Sequence, residues 1–379
     1  MARTRAATSV AFFLQGFVFA AIVTQMPRNK ERFGLTDGDV TVVLVVVALV
    51  CGVGSVVAGL VAQRWDSRVA LVGALALVGV AAPLVGAASS VAWLYVAFVV
   101  YGLGLGAVDA TMNMQGVRVQ AVVGRSLMTG FHGLWSVGGI VGAGYASLAA
   151  HLEVPLAADL LLVGLGTVVA ALVAGPHLLA SREVDPGLRA EGLPWRPVLV
   201  FGAVILIFYA ADTGTLTWSS VYLDDALGAS AAVVPLGYAA YQAGALVSRF
   251  GGDLVVRRHG ARAVVTAAVV LGTIGYLAVV LAPTPWPAVV AFGLAALGTG
   301  VLAPLAFAAL GESVPAHTLD VAIARMNLAN YVGAILGGGV IGVVAEGGDL
   351  RWAFVVPLAL VPLLLLTRRS FPARTVTTG

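Results

Sequence analysis

Residues 125–142 read RSLMTGFHGLWSVGGIVG, and residues 325–342 read RMNLANYVGAILGGGVIG. At an offset of 200, the two stretches share one arginine and four glycines, at Arg125/Arg325, Gly133/Gly333, Gly138/Gly338, Gly139/Gly339 and Gly142/Gly342. A second pair, LGLG at 103–106 and LGTG at 297–300, coincides at an offset of 194, which also pairs Arg64 with Arg258 and Arg68 with Arg262. The chain therefore contains an internal repeat.

The longest polar interruption of the chain, Ser181–Pro197, separates the two copies. We predict an N-terminal six-helix bundle over residues 1–180, a cytoplasmic linker over 181–196 and a C-terminal six-helix bundle over 197–379. Parallel repeats of this kind are typical of secondary transporters, whose substrate site lies between the repeats near the middle of the membrane.

The composition excludes an ordinary soluble domain. Of the 379 residues, 60% are hydrophobic and only 10% are charged, whereas a soluble domain is about 45–50% apolar and about 25% charged. The net charge of +3 does not indicate a nucleic-acid partner, and the single cysteine, Cys51, is expected to be a small buried residue. The sequence has no phosphate loop, paired-cysteine site or zinc-protease motif. We therefore predict no cofactor, no metal and no enzymatic activity.

Twelve apolar stretches predict membrane-spanning helices, because none alternates as a barrel strand does. They are Ala7–Met26, Val40–Val61, Val69–Ala88, Val91–Met114, Leu127–Ala149, Ala157–Leu179, Val198–Ser219, Ala231–Phe250, Val264–Leu281, Ala288–Leu310, Ala322–Val344 and Ala353–Leu366. We expect the first to be a retained helix, since no cleavage site follows it. With the N-terminus inside, the cytoplasmic segments carry 15 arginines and the outer segments only 4 basic residues, which predicts cytoplasmic termini.

The twelve helices, the six-plus-six repeat and the loops after helices two and eight resemble the major facilitator superfamily. The family's signature loop is Gly, three residues, Asp-Arg, any residue, Gly and two basic residues. The first copy here, GLVAQRWDSR at 59–68, has Gln63 in place of the aspartate and Asp66 in place of the glycine. The second copy keeps Gly252 and Asp253. The resemblance covers the whole chain and implies two pseudo-symmetric bundles.

A sharper resemblance lies in residues 109–139, where DATMNMQG is followed by FHGLWSVGG. The bacterial fucose-permease-like branch has a similar Asn–Gln–Gly run and His–Trp–Ser signature. That branch often has Glu-Gly, then Asp-Trp-Ser and Tyr-Leu, in helix seven. Here residues 212–223 read DTGTLTWSSVYL, so that Asp212 replaces the glutamate and Thr217 the aspartate. Because the branch contains sugar importers, the resemblance implies a small polar cargo.

Ionisable side chains inside membrane spans are costly and usually functional. Asp109 and Asn113 are four residues apart in helix four and share one face. His132 in helix five lies about as far from the intervening turn as Asp109 does, so we expect both at one depth in the membrane. The pair would exchange protons or bind substrate. The alternative is a structural hydrogen bond that locks the two helices together.

Asp212 is a candidate for proton or substrate binding in helix seven, and the threonines and glycine after it predict local unwinding. The alternative is a carboxylate near the outer water boundary. Aromatic and amide side chains suit a sugar-like or polyol ligand, and those predicted to line the cavity are Trp135, Trp218, Tyr241, Gln242, Asn327, Asn330 and Tyr331. Each of them could instead pack helices or anchor the protein at the interface.

Four charged residues at the predicted cytoplasmic ends are candidates for a gate: Arg64, Arg249, Asp253 and Arg325. Arg249 and Asp253 are four residues apart, and with Arg325 they would form an ion-pair gate that closes in the outward-open state. Such a gate requires partial burial, because exposed ion pairs are weak. The alternative is that the arginines only anchor the cytoplasmic ends of the helices.

The sequence thus predicts a secondary active transporter that moves a small polar organic solute across the cytoplasmic membrane by alternating access, coupled to protons. Its expected partners are this solute, protons and the lipid bilayer, with the chain acting as a monomer. One alternative is proton-driven efflux of a drug or natural product, although helix five lacks the Gly-x-x-x-Gly-Pro motif of drug antiporters. A second alternative is a non-transporting membrane receptor or scaffold.

Overall fold

A computed structural model describes residues 1–35, 37–180, 192–230, 233–346 and 350–373. Every regular element in these ranges is helical. The α-helices are α1 (Ala2–Val23), α2 (Met26–Phe33), α3 (Asp37–Arg64), α4 (Ser67–Gly86), α5 (Val91–Val123), α6 (Met128–His151), α7 (Leu156–Ala174), α8 (Trp195–Val221), α9 (Leu236–His259), α10 (Ala261–Leu281), α11 (Pro285–Thr299), α12 (Leu302–Ser313), α13 (Leu319–Glu346) and α14 (Val355–Leu360). A π-helical turn, Tyr222–Ala226, follows α8, and a 3-10 helix, Val361–Ser370, follows α14.

Each of the twelve predicted spans coincides with a helix or with two consecutive helices. Within the ranges above, 10 helical stretches are long and apolar enough to cross a membrane. The other two predicted spans correspond to α9 and α13. The predicted eighth span, Ala231–Phe250, ends too early, because α9 continues to His259 through a charged segment that includes Arg257 and Arg258.

The predicted unwinding after Asp212 is wrong, because α8 is continuous through Thr217. The threonine hydroxyl groups bond back to carbonyl groups one turn earlier, from Thr215 to Ala211 at 2.7 Å and from Thr217 to Thr213 at 2.8 Å. They therefore find their acceptors within the helix. The first irregularity in this segment is the π-helical turn that starts at Tyr222.

A helix break does occur in the predicted tenth span, between α11 and α12. Its cause is Pro304, which has no N–H group to donate to the carbonyl group of Gly300, four residues earlier. The Gly300 carbonyl instead accepts a hydrogen bond from Nε of Arg249, at 3.3 Å. The break is thus stabilised by a side chain from α9.

The chain forms two compact units. Unit 1 comprises Met1–Val123, Phe131–Pro194 and Val314–Asn327, and unit 2 comprises Gly124–Gly130, Trp195–Ser313 and Leu328–Gly379. The first turn of α13 thus packs in unit 1, and the first turn of α6 packs in unit 2. The predicted bundle limits remain a prediction, and residues 181–191 of the predicted linker lie outside the described ranges.

The internal repeat is visible in the packing of each unit. In unit 1, α5 packs against α3 and α4, and in unit 2, α11 packs against α9 and α10. In unit 1, Gly104 has so little space that an added Cβ would meet the backbone and side chain of Val78. Adding 194 to both numbers gives Gly298 and Gly272, whose backbones approach each other in the same way in unit 2. Small residues allow this close helix packing in membranes.

A second pair of contacts repeats at the same offset of 194. An added Cβ at Gly106 would meet the carbonyl group of Cys51, and one at Gly300 would meet the backbone of Ala245. The equivalence is weaker in the stretches at 125–142 and 325–342. Gly138 packs on Phe13, whereas Gly337, rather than the aligned Gly338, packs on Ala210.

Candidate functional site

Four polar side chains in unit 1 form a buried cluster, which we call the Asp109 cluster: Asp109 and Asn113 on α5, His132 on α6 and Asn327 on α13. Nδ2 of Asn327 donates to Oδ2 of Asp109 at 3.1 Å. Nδ2 of Asn113 donates to the main-chain carbonyl of Asp109 at 2.8 Å, and Oδ1 of Asn113 lies 3.2 Å from Nε2 of His132. All four side chains are at most 8% exposed. The structure thus brings together three helices through side chains that the sequence had singled out.

Aromatic side chains pack against His132 and the neighbouring residues of α6. Phe12 lies edge-on to the imidazole, with the ring centres 5.2 Å apart, and it also stacks on Phe131 at 5.4 Å. Trp135 donates from its indole to Oε1 of Gln15 on α1. Gln15 was not predicted as a site residue. It could have been selected from the sequence, because it is a polar side chain in an apolar helix.

A second cluster of polar side chains lies in unit 2, and we call it the Asp212 cluster: the partly exposed Asp212 and the buried Thr215, Tyr241, Arg249, Tyr276 and Thr299. The Asp212 carboxyl group interacts with the Tyr241 hydroxyl and is attracted by the charge of Arg249. The Tyr276 hydroxyl lies 2.9 Å from Oγ1 of Thr215 and 3.5 Å from the Tyr241 hydroxyl, which is also 3.5 Å from Oγ1 of Thr299. The cluster joins α8, α9, α10 and α11.

Arg249 connects the Asp212 cluster to the helix break. The residue is buried, with only 7% of its surface exposed. Besides its attraction to Asp212, it donates to the Gly300 carbonyl that Pro304 leaves without a helical partner. Discontinuous helices with exposed carbonyl groups line the sites of many secondary transporters. Tyr276, Thr299 and the break at Gly300 were missed from the sequence, because hydroxyl groups and prolines are common in membrane helices.

The carboxylate of Asp253 holds the beginning of α6 within unit 2. Its Oδ1 accepts from Oγ of Ser126 at 2.6 Å and from the amide of Thr129 at 3.3 Å, and its Oδ2 accepts from the amide of Gly130 at 2.8 Å. Amide groups in the first turn of a helix have no partner within the helix. Asp253 therefore caps α6 from a distant position on α9.

A buried ion pair holds the beginning of α13 within unit 1. Arg118 at the end of α5 donates to Oδ1 of Asp320 through both Nη2, at 3.0 Å, and Nε, at 3.3 Å. The two side chains are only 6% and 7% exposed. Ser55 on α3 adds a bond to the Ala324 carbonyl, at 3.1 Å. This pair was not predicted from the sequence, because its two residues are 202 positions apart.

The other predicted residues are placed separately. Trp218 donates to the Gly338 carbonyl at 3.0 Å, and Gln242 interacts with Tyr238. Asn330 is buried, Tyr331 and Arg325 are partly exposed, and Arg64 is exposed. Arg325 belongs to unit 1, whereas Arg249 and Asp253 belong to unit 2. The predicted three-residue gate therefore stays a prediction.

Another buried carboxylate, Asp159 on α7, was overlooked in the sequence. Its Oδ2 accepts from Nε2 of Gln25 at 2.7 Å and lies 3.7 Å from Arg28. The side chain of Asp159 is 1% exposed. Asp159 could have been selected from the sequence, because it is an ionisable residue within a predicted membrane span. Within the described ranges, no group of three or more His, Cys, Asp or Glu side chains could hold a metal ion.

Comparison with known proteins identifies the family. The model of the Major Facilitator Superfamily matches residues 8–257 and 200–378 of the chain. The chain belongs to the major facilitator superfamily. An uncharacterized transporter of this superfamily from Yersinia pestis is 32% identical, over 98% of this chain and 95% of that protein. The predicted family is therefore confirmed.

Solved structures of other major facilitator proteins have the same fold. FucP, the E. coli fucose:proton symporter, matches in its outward conformation with a TM-score of 0.80, at 13% identity, over 96% of this chain and 97% of FucP. The proton:xylose symporter XylE matches with a TM-score of 0.72, at 14% identity, over 99% and 97%. The predicted fold class, an all-α membrane protein with the major facilitator fold, is confirmed, and the chain is a multi-pass membrane transporter.

Proposed function

We propose that this major facilitator protein is a secondary active transporter that moves a small polar, sugar-like solute together with protons. It would work by alternating access of two six-helix bundles, as a monomer in the cytoplasmic membrane with both termini in the cytoplasm, and without enzymatic activity. FucP and XylE, which share its fold, are proton symporters of sugars. This supports the proposed substrate class and coupling ion.

The observation that carries the proposal is the Asp109 cluster. A carboxylate inside membrane helices is costly and is kept where it has a function. The neutral amide of Asn327 donates to the Asp109 carboxylate, and Asn113 connects the same turn of α5 to His132. Histidine titrates near neutral pH unless its surroundings change its affinity for protons. Uptake of a proton at this cluster would therefore change its charge.

The amide groups of the cluster suit a hydroxyl-rich solute. Each carboxamide has a donor and an acceptor, which match the hydroxyl groups of a sugar or polyol. Asn327 donates to the carboxylate of Asp109, whereas Asn113 donates to its main-chain carbonyl. A solute hydroxyl that takes the place of the Asn327 bond would change the surroundings of the carboxylate. Substrate binding and proton binding would thereby be coupled.

Asp212 and Arg249 would supply the charged part of the site in the second half. Their charges attract each other within the membrane helices, where little water screens them. A proton on Asp212 would remove this attraction on Arg249, which also donates to the Gly300 carbonyl. We expect Asp212→Asn to abolish transport or its pH dependence. Unchanged transport at every pH would exclude this role.

The contacts at the beginning of α6 and at the beginning of α13 would act as the cytoplasmic gate. Arg118 with Asp320 holds the beginning of α13, and Asp253 holds the beginning of α6. Both pairs lie at helix ends that the distribution of basic residues predicts to be cytoplasmic. We propose that these contacts form when the protein is closed to the cytoplasm and break when it opens.

The test begins with a search for the substrate. Purified protein is screened by thermal shift with sugars, polyols, amino acids and drugs. Proteoliposomes are then assayed for uptake of any hit, with and without an imposed proton gradient. We expect a sugar or polyol hit whose uptake rises with an inward proton gradient. A drug as the only hit would favour the efflux alternative, and a hit without counterflow would favour the receptor alternative.

Asp109→Asn is the decisive variant, and Asp159→Asn is its matched control. Both replace a buried carboxylate of unit 1 with a neutral amide of the same shape. We expect Asp109→Asn to lose gradient-driven uptake while it retains exchange of solute across the membrane. Asp159→Asn should retain both activities, because its carboxylate lies in the first turn of α7, beside Arg28 and outside the Asp109 cluster. Full gradient-driven uptake by Asp109→Asn would show that the cluster is structural.

A further inference from the structure

A groove with three arginines lies on unit 2, between the beginning of α10 and the 3-10 helix Val361–Ser370. It has a volume of about 660 Å³. Its lining residues are Arg262, Ala263, Thr266, Ala267, Val270, Arg368, Arg369 and Ala373. None of these described lining residues is acidic. The groove therefore offers concentrated positive charge beside a small apolar wall.

Hydrogen bonds and side-chain packing hold the positively charged end of the groove in place. The backbone amide of Arg262 donates to the Pro372 carbonyl at 2.9 Å. Its guanidinium donates to the carbonyl groups of Phe371 and Arg369, both at 3.1 Å. Phe371 is fully buried and packs edge-on against Phe201, with the ring centres 5.2 Å apart. The segment that carries Arg368 and Arg369 is thus held against α10.

The groove continues along a surface suited to lipid tails. Val270, one of its lining residues, is 47% exposed, and Leu363 and Leu366 on the 3-10 helix are 48% and 83% exposed. Such side chains are expected to face lipid in a membrane protein, whereas the arginines mark the boundary with water. The surface is therefore apolar toward the membrane and basic at its end. It is complementary to a phospholipid that has apolar tails and an anionic headgroup.

The internal repeat supplies a natural comparison. A groove of the same volume, about 660 Å³, lies on unit 1 and is lined by Arg68, Val69, Val72, Gly73, Leu172, Gly175 and Pro176. Adding 194 to its first four residues gives Arg262, Ala263, Thr266 and Ala267. The two grooves have equivalent positions, but only one arginine lines the groove on unit 1. Charge, rather than shape, distinguishes the groove on unit 2.

We propose that the groove on unit 2 binds the headgroup of an anionic phospholipid, with Arg262, Arg368 and Arg369 around its phosphate. Guanidinium groups match phosphate oxygens in bidentate geometry. Basic pockets between helices at the cytoplasmic side of membrane proteins bind anionic headgroups. The site is independent of the transported solute, so its test requires no substrate.

The test is native mass spectrometry of the purified protein, titrated with phosphatidylglycerol and with phosphatidylcholine of the same acyl chains. We expect selective binding of phosphatidylglycerol. Because each basic side chain near a membrane contributes about 1 kcal/mol, the double variant Arg368→Gln/Arg369→Gln should bind phosphatidylglycerol about thirtyfold more weakly. Arg262 is left unchanged, since it also holds the chain segment in place.

Arg68→Gln, in the equivalent groove of unit 1, is the matched control and should retain wild-type affinity. The double variant Arg368→Lys/Arg369→Lys keeps the charge and should recover most of the binding, which separates charge loss from misfolding. Equal affinity in the wild type and in the glutamine double variant would overturn the proposal. Displacement of the lipid by inorganic phosphate at equal concentration would also overturn it, since the site would then bind free phosphate.

Discussion

Asn327 donates a hydrogen bond to the carboxylate of Asp109 at 3.1 Å, although the two residues are 218 positions apart in the chain. Asn327 lies on α13, the helix that repeats α6, and Asp109 lies on α5. Both belong to unit 1. The second half of the chain thus supplies a hydrogen-bond donor to the acidic residue of the first half, within one compact unit.

Asn327→Ala should weaken both stability and proton-driven uptake. It removes a donor from a buried carboxylate, and side-chain hydrogen bonds in membrane proteins contribute about 0.6 kcal/mol on average, with a maximum of about 1.7. We expect the free energy of unfolding in detergent to fall by about 1 kcal/mol, and uptake to fall severalfold. Asn29→Ala, a buried asparagine bound to the Gln25 carbonyl, is the control for stability and should retain uptake. Normal uptake by Asn327→Ala would contradict its proposed role.

The Arg118–Asp320 pair should show strong non-additivity. Removal of one partner of a buried ion pair leaves a charge uncompensated, so Arg118→Ala should reduce the free energy of unfolding by about 3–5 kcal/mol. The double variant Arg118→Met/Asp320→Leu removes both charges and should be close to the wild type or more stable. Chemical denaturation in detergent measures both. A loss in the double variant equal to the sum of the losses in Arg118→Met and Asp320→Leu alone would mean that the charges do not interact.

Asp253→Ala should loosen the first turn of α6. The variant loses the acceptors for Ser126, Thr129 and Gly130. Loss of a helix cap costs about 0.5–2 kcal/mol, so amide exchange in this turn should accelerate about tenfold. Hydrogen–deuterium exchange of a peptide that covers residues 126–132 measures this. Asp224→Ala, at an exposed aspartate of the same unit, should leave that peptide unchanged, and no acceleration in Asp253→Ala would refute the cap.

The repeated glycine contacts should differ in their sensitivity to a methyl group. Gly298→Ala would place a Cβ against the backbone of Gly272, which cannot yield, whereas a Cβ at Gly104 first meets a side-chain methyl of Val78 and lies farther, at 3.0 Å, from the Val78 amide nitrogen. Overpacking costs about 1–3 kcal/mol, and we expect Gly298→Ala to lie at the upper end and Gly104→Ala at the lower. Gly251→Ala has open space and should be neutral or stabilising. Thermal unfolding of the three variants in one detergent ranks them, and the reverse order for Gly298 and Gly104 would contradict the packing.

Much of the fold could be predicted because the bilayer restricts a chain to few structures. Apolar stretches must satisfy their backbone groups internally, so each predicted span became a helix. The offset of 194 could be read from glycines and arginines, because close helix packing requires small residues at equivalent positions. The break at Gly300 was missed, since Pro304 can be tolerated in a continuous membrane helix when neighbours satisfy the carbonyl it leaves open.

The candidate sites were predictable in part. Asp109, Asn113, His132 and Asp212 could be selected because an ionisable or amide group in an apolar span is unusual. Their partners could not all be selected. Asn327 was proposed only as a cavity residue, and Tyr276 and Thr299 carry hydroxyl groups that bond within helices as often as between them. Arg118 was hidden among arginines that basic cytoplasmic loops explain equally well.

The amino-acid sequence was enough to predict a helical, membrane-spanning chain with an internal repeat, because hydropathy is a local property and the glycine spacing recurs at nearly constant offsets. The pairing of the polar groups became visible only in the folded chain. Asp109 with Asn327, Arg118 with Asp320 and Asp253 with Gly130 join residues that are 218, 202 and 123 positions apart. The physical reason is that a buried polar group needs some partner, but sequence spacing does not specify which one across such distances. Helix packing makes that choice.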